Sequence, residues 1–258
     1  MTASSLVSVP GPAGGPAVPV LAHVPADPRG WIVWAHGGSW RFGSAVEWRR
    51  ATTRLAAASG WAVLSADYRL APRHRHPRAL QDVLAVLTWA ADRAAGLPVA
   101  VGGDSAGGTL AACAALAVRD RGGALAAQFL AYPPVDPECS APSFQADPRR
   151  FPDPAALREA WRAWRGDGAP VHDTDGTRLH STPLDACSLA GTAPAVLAVG
   201  TDDPVRDDVE KYARRLRGDG VPVRLLRVAG AEHGDVLRTG SRVLDTLADA
   251  LRFPVPTS

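Results

Sequence analysis

The sequence predicts an α/β fold: a mostly parallel, twisted sheet with helices on both faces and a small inserted lid. Three observations carry this. Short, continuous apolar runs alternate with amphipathic helical segments along most of the chain, the runs end in Gly or Asp, and one long interval breaks the rhythm. A length of 258 residues with 46% hydrophobic and 21% charged residues suits one globular domain over 1–258.

Residues 6–9 and 18–24 flank PGPAGGP and read as an edge hairpin whose turn is too rich in breakers for anything helical. Residues 31–35, Trp-Ile-Val-Trp-Ala, form a short run expected of a strand buried on both faces, and glycines end it. Residues 49–59 are helical in composition and stop at Gly60, and 61–66 form a second buried strand ending at Asp67. Leu80, Val83, Leu84 and Leu87 follow the i, i+3, i+4, i+7 spacing of a helix that Gly96 closes. A third strand, 99–101, runs into Gly-Gly-Asp-Ser-Ala-Gly-Gly and a small-residue helix over 110–118. Strands at 127–132, 195–199 and 223–228 and helices at 205–216 and 244–251 complete the alternation. Between 136 and 183 there is no strand-like run, only Pro-, Asp- and Gly-rich sequence around one helix at 155–164. An insertion of this length is expected to be a cap or binding loop.

Composition excludes several function classes. The net charge is +2 and Lys211 is the only lysine, while the arginines are scattered among Asp and Glu, so no nucleic-acid partner is expected. The apolar stretches at 83–91 and 110–118 are about half of the ~18 residues a membrane span needs. Residues 1–18 lack a basic segment followed by an apolar one, so no secretory signal is expected. Cys113, Cys139 and Cys187 are odd in number and far apart, which argues against a disulfide framework and for a reducing, cytoplasmic setting.

The chemistry lies at the strand ends. Gly103-Asp104-Ser105-Ala106-Gly107 matches G-x-S-x-G directly after a buried strand and before a helix, the sharp turn that lifts a serine hydroxyl above the sheet. A serine nucleophile needs a base active near neutral pH, and His233 sits on the loop between the last strand and the last helix. His23, His74, His76, His172 and His180 fall on the hairpin, in a turn or in the insertion, where a structural or solvated role is expected. The base needs a carboxylate to fix its tautomer. Asp202 and Asp203 follow the 195–199 strand, in the chain order Ser, Asp, His. Asp207 and Asp208 read as first-turn residues that suit a helix dipole. Backbone N–H donors for a tetrahedral oxyanion are available from Gly37, Gly38 and Ser39, after the first buried strand, and from Ala106. This machinery calls for no metal or cofactor.

The ordered motifs HGGSW at 36–40, DYRLAP at 67–72, GDSAGG at 103–108, DDPVRD at 202–207 and EHGD at 232–235 resemble the hormone-sensitive-lipase-like branch of the α/β-hydrolases. The resemblance runs from about Val7 to about Arg252. It implies an α/β-hydrolase fold and a serine carboxylesterase acting on small to medium acyl esters through an acyl-enzyme. It also assigns the acid to Asp203, the aspartate before the proline, and the oxyanion amides to Gly38 and Ser39. Ser39 replaces the third glycine of the branch's motif, and HGG-x-W also resembles kynurenine formamidases, which leaves amide substrates open. Asp235 stands where the branch commonly has Phe, so part of a hydrophobic wall is expected to be missing. The fold is expected to begin at the first hairpin, without the N-terminal cap helices of longer relatives. The pocket is therefore expected to be open, or completed by the insertion with Phe151, Trp161 and Trp164 as candidate cover; Trp40, expected to pack beside the oxyanion turn, is a further pocket candidate, and a second subunit is another way to cover the site. Relatives have also become hormone receptors or catalyse eliminations and cyclisations, so a non-hydrolytic use of the scaffold is the rival reading. Retention of Ser, His and Asp together favours hydrolysis.

Overall fold

Strands β1 (Thr2–Val9) and β2 (Val18–Pro25) pair antiparallel as the expected hairpin. The computed structural model describes residues 2–147 and 149–252, with Ala13 by its backbone alone, so the ends of the 1–258 span and Pro148 of the insertion lie outside the described residues. The connecting turn holds a short 3-10 turn, Pro12–Gly14, where the sequence excluded anything helical. Pro12 opens it, at a position where a missing N–H is tolerated. Then β3 (Trp31–Ala35), α1 (Arg49–Ser59), β4 (Ala62–Ala66), α2 (Arg78–Arg93), β5 (Val99–Asp104), α3 (Ala106–Asp120) and β6 (Gln128–Ala131) alternate as read.

The inserted segment holds α4 (Ser143–Ala146) and α5 (Pro154–Arg165). It also holds an antiparallel ladder of β7 (Val171–His172) and β8 (Arg178–Leu179), which corrects the expectation of no strand. Two residues per strand are too few for a period to register in sequence. The ladder is fastened by ion pairs from Arg121, at the end of α3, to Asp173 and Asp175. Among the described residues, β9 (Ala195–Gly200), α6 (Arg206–Gly218), β10 (Val223–Val228) and α7 (Arg242–Arg252) follow.

Among the described residues, eight strands form one sheet in the order β1-β2-β4-β3-β5-β6-β9-β10. It is antiparallel from β1 through β4 and parallel from β4 to β10. Ile32, Val33, Val63, Leu64, Ala100, Val101, Leu130 and Val196 are fully buried, which explains their unbroken apolar runs. Right-handed crossovers set α1 and α7 on one face, joined by Arg54 and Asp245 at 2.6 Å, and α2 and α3 on the other.

Register positions the chemistry. Ala35 pairs with both Ala66 and Gly103, Asp104 with Ala131, Ala131 with Ala198, and Gly200 with Val228. The segments leaving β3, β5, β6, β9 and β10 therefore emerge at one carboxyl edge, where open α/β sheets bind ligands. Between β5 and α3 a single residue, Ser105, makes the turn with φ 50° and ψ −123°. Glycines allow this because α3 starts hard against β3. A Cβ on Gly107 would lie 2.0 Å from the Ala35 carbonyl oxygen, and one on Gly103 would lie 2.5 Å from the Gly107 backbone.

Two glycine substitutions test this packing in opposite directions. Gly107→Ala is expected to destabilise the protein by about 2 kcal/mol or more. Gly218→Ala, at a helical glycine with open space around it, should stabilise by roughly 0.5–1 kcal/mol. Thermal unfolding of the two variants beside the parent checks both, and a harmless Gly107→Ala would contradict the close approach of α3 to β3.

Candidate active site

Ser105 Oγ lies 2.8 Å from His233 Nε2, across 128 residues of sequence. His233 Nδ1 lies 2.9 and 3.0 Å from the two oxygens of Asp203. With Nδ1 protonated, the imidazole donates to Asp203 and leaves Nε2 to accept the serine proton. The side chains of Asp203 and His233 are 0% and 2% exposed, so water does not compete for their bond. Asp203 Oδ1 also accepts the Val205 amide at 2.7 Å, which fixes the carboxylate at the entry to α6. Asp202 points elsewhere. Its side chain is 42% exposed and pairs with Arg150 at 3.2 Å. His23 bonds Ser4 and Thr52, and His76 bonds the Leu179 carbonyl, with burial first among the causes that pull His76 down to about 4.

The turn after β3 is held from below. Tyr68 donates to the His36 carbonyl at 2.7 Å and stacks on the His36 ring at 4.2 Å. Asp67 accepts the Ala45 amide, and Arg69 grips Asp82 of α2 through two nitrogens. Asp67 and Tyr68 thus support the turn directly, while Arg69 ties the same stretch to α2. Gly38 has φ +107°, and a Cβ there would sit 2.2 Å from the Phe42 carbonyl oxygen. Ser39 and Trp40 follow at φ 54° and 58°, a left-handed pair that non-glycine residues adopt only when their surroundings hold them. The Ala106 amide opens α3, among the first four N–H groups that a helix leaves without intrahelical partners.

Asp104, which the sequence reading passed over as the variable position of G-x-S-x-G, joins these parts. It is buried, and its Oδ1 accepts the indole N–H of Trp34 on β3 at 3.2 Å and of Trp48, just before α1, at 2.9 Å. Its other oxygen faces Gly37 so closely that a Cβ there would lie 2.6 Å away. Burial pushes the Asp104 carboxyl up to about 7, against the opposing pull of the two indoles, of His233 and of the Gly37 amide.

A family model described as the alpha/beta hydrolase fold matches residues 32–237. The chain belongs to this α/β-hydrolase family. Its motifs and relatives put it in the hormone-sensitive-lipase-like branch. It is 37% identical over 248 residues to the carboxylic ester hydrolase LipN of Mycobacterium tuberculosis, covering 88% of this chain and 63% of LipN. Carboxylesterase NlhH of the same organism is 36% identical over 214 residues, 80% of this chain and 66% of NlhH. The chain therefore spans slightly less than two thirds of either relative. A bacterial heroin esterase superposes with a TM-score of 0.86 at 30% identity, over 99% of this chain and 85% of that one.

The four pocket candidates separate in this family member. Phe151 is exposed, and its ring centre lies 5.6 Å from that of His233. Trp40, Trp161 and Trp164 are instead at most 1% exposed. Trp40 stacks on Trp164 at 4.7 Å with planes 2° apart and meets Trp161 at 4.3 Å, so the indoles clamp α5 onto the turn and present no surface to a ligand. Arg41 and Glu159 add an ion pair across the same contact. Asp235 is buried and accepts from Ser241 Oγ and the Val243 amide, so the residue in place of the usual Phe holds the start of α7.

Sequence reasoning also missed Tyr132. Its ring centre lies 4.7 Å from that of His233, its hydroxyl accepts the Val236 amide, and its φ is 38°. Asp207 and Asp208 do more than suit a dipole. They accept the amides of Ser143, Val135 and Asp136, and so tie the entry of the insertion to α6. A cavity of about 710 Å³, lined by Leu84, Leu87, Val99, Val118 and Leu125, opens at the opposite, amino-terminal edge of the sheet.

Burial of Asp104 predicts a pH signature in stability. The group titrates near 3.8 when unfolded and about 7 when folded, so the folded state binds the extra proton between these values. Its contribution therefore falls as pH rises from about 4 to 7 and is flat above. Denaturant unfolding across that range should show the wild type losing stability relative to Asp104→Asn. A pH-independent difference would contradict the buried carboxyl.

Proposed function

We propose that the protein is a serine hydrolase that cleaves carboxylic esters of small to medium acyl groups. The observation that carries this is the unbroken succession from Ser105 Oγ to His233 Nε2 at 2.8 Å and from His233 Nδ1 to Asp203 at 2.9 Å. Ser105 attacks the ester carbonyl while His233 takes its proton, and Asp203 steadies the resulting imidazolium without accepting a proton. The carbonyl oxygen becomes an oxyanion, for which Gly38, Ser39 and Ala106 supply amides, with Gly37 shaping the same turn. On collapse the C–O bond to the alcohol breaks, and His233 returns its proton to the leaving oxygen. Water, deprotonated by His233, then attacks the acyl-enzyme, and carboxylic acid leaves as Ser105 recovers its proton. Every proton is returned within the cycle.

Two features support esters as the substrate class: LipN and NlhH are ester hydrolases by name, and the Ser-His-Asp set is complete. The proposal extends to a reducing, cytoplasmic setting, supported by three free cysteines. Among the described residues no helix is long and apolar enough to cross a membrane. The inserted segment is proposed as a fixed cap, supported by the indole clamp between α5 and the Trp40 turn.

Hydrolysis of short-chain esters by the wild type tests this, with acyl amides of matched acyl groups alongside. Ser105→Ala should lower kcat by on the order of 10⁴ or more with the fold intact by circular dichroism. Retained turnover would overturn the assignment, and amide cleavage exceeding ester cleavage would overturn the substrate class. Asp203→Asn should impair turnover far more than Asp202→Asn, because only Asp203 bonds His233. Equal or reversed losses would move the acid to Asp202.

A further inference from the structure

We infer that Phe151 is the wall of the leaving-alcohol subsite, and that the protein prefers esters whose alcohol carries an apolar ring or bulky apolar group. The inference rests on the proposed serine-hydrolase reading and deepens it. His233 Nε2 must deliver its proton to the departing oxygen, so that oxygen has to come within hydrogen-bond reach of the imidazole. The alcohol's remaining atoms therefore lie on the His233 side of Ser105. The acyl group, with its oxygen turned to the Gly38, Ser39 and Ala106 amides, lies on the other side.

Phe151 stands beside His233, the side that receives the alcohol. Its ring centre is 5.6 Å from that of His233 with planes 59° apart. The residue is 67% exposed, so the ring is not committed to the core and its open surface is available for a partner. The chain on either side of it is fastened. Arg150 donates to the Asp202 carbonyl at 2.7 Å and pairs with the Asp202 carboxylate at 3.2 Å, which moors this segment to the loop carrying Asp203. Pro152 is buried, and Asp153 caps α5 by accepting the Ala156 amide at 2.8 Å. An aromatic ring anchored on both sides and left open beside a proton donor offers stacking and apolar contact to an alcohol, and it offers no hydrogen bond. Polar alcohols gain nothing from it. The three tryptophans among the pocket candidates are packed away from solvent, which leaves Phe151 as the exposed aromatic beside His233.

The test varies the alcohol at constant acyl group. In wild type and in Phe151→Ala and Phe151→Leu, kcat/KM is measured for benzyl acetate and ethyl acetate, two alkanol esters that form the same acyl-enzyme. Ethyl butyrate against ethyl acetate then varies the acyl group at constant alcohol. The benzyl-to-ethyl ratio should fall roughly tenfold in Phe151→Ala and less in Phe151→Leu. The butyrate-to-acetate ratio should stay within about twofold in all three. A benzyl-to-ethyl ratio unchanged by either substitution, or a change in the acyl ratio instead, would overturn the inference while leaving ester hydrolysis standing. Wild-type protein that cleaves none of the three esters would overturn the hydrolase reading and this inference together.

Discussion

One buried carboxylate sets the geometry of the carboxyl edge. Asp104 sits directly before the turning serine and reaches three separate segments. Through one oxygen it takes the indoles of Trp34 on β3 and Trp48 ahead of α1, and its other oxygen lies against Gly37. A charge or proton held there without water is tolerable only because N–H donors surround it. The same requirement forces β3, β5, α1 and the turn after β3 into fixed mutual positions. The glycines around the elbow are the steric counterpart of that electrostatic demand, since α3 begins at a distance from Ala35 that no side chain fits.

From that junction, rigidity spreads in two directions. Toward the turn, Tyr68 stacks beneath His36 and bonds its carbonyl, and Trp40 carries the contact on to Trp164 and Trp161 of α5. Ser39 and Trp40 keep positive φ values in a turn packed on both sides, by Tyr68 and by α5. Toward His233, Tyr132 lies against the imidazole ring and fixes the following loop through the Val236 amide, while Asp203 bonds Nδ1. The inserted segment is tied to the rest of the fold at two places. Asp207 and Asp208 secure its entry, and the stacked indoles secure its helix.

Much of this is legible in the sequence, for identifiable reasons. The alternation of strands and helices reads correctly because strands buried on both faces leave continuous apolar runs, and the glycines around Ser105 report a close approach that only they permit. Ser105, Asp203 and His233 are each nameable from a motif and a strand end. The choice between Asp202 and Asp203 comes from the resemblance, because adjacent carboxylates on one loop differ only in direction. Asp104 is invisible as an anchor since its indole partners lie 70 and 56 residues away. The helical period places Trp161 and Trp164 on α5, yet it does not tell whether an indole meets the cleft or another indole. The β7/β8 ladder escapes notice because its strands are two residues long.

The claim on which the account rests is that Ser105 is an activated nucleophile, reachable from solvent and served by His233. Intact-mass analysis after exposure to a small fluorophosphonate tests this without knowledge of the natural substrate. The account predicts a single covalent adduct on the wild type, mapped to Ser105 by peptide fragmentation and absent from Ser105→Ala. An unmodified wild type, or an adduct that persists when Ser105 is replaced, would contradict it.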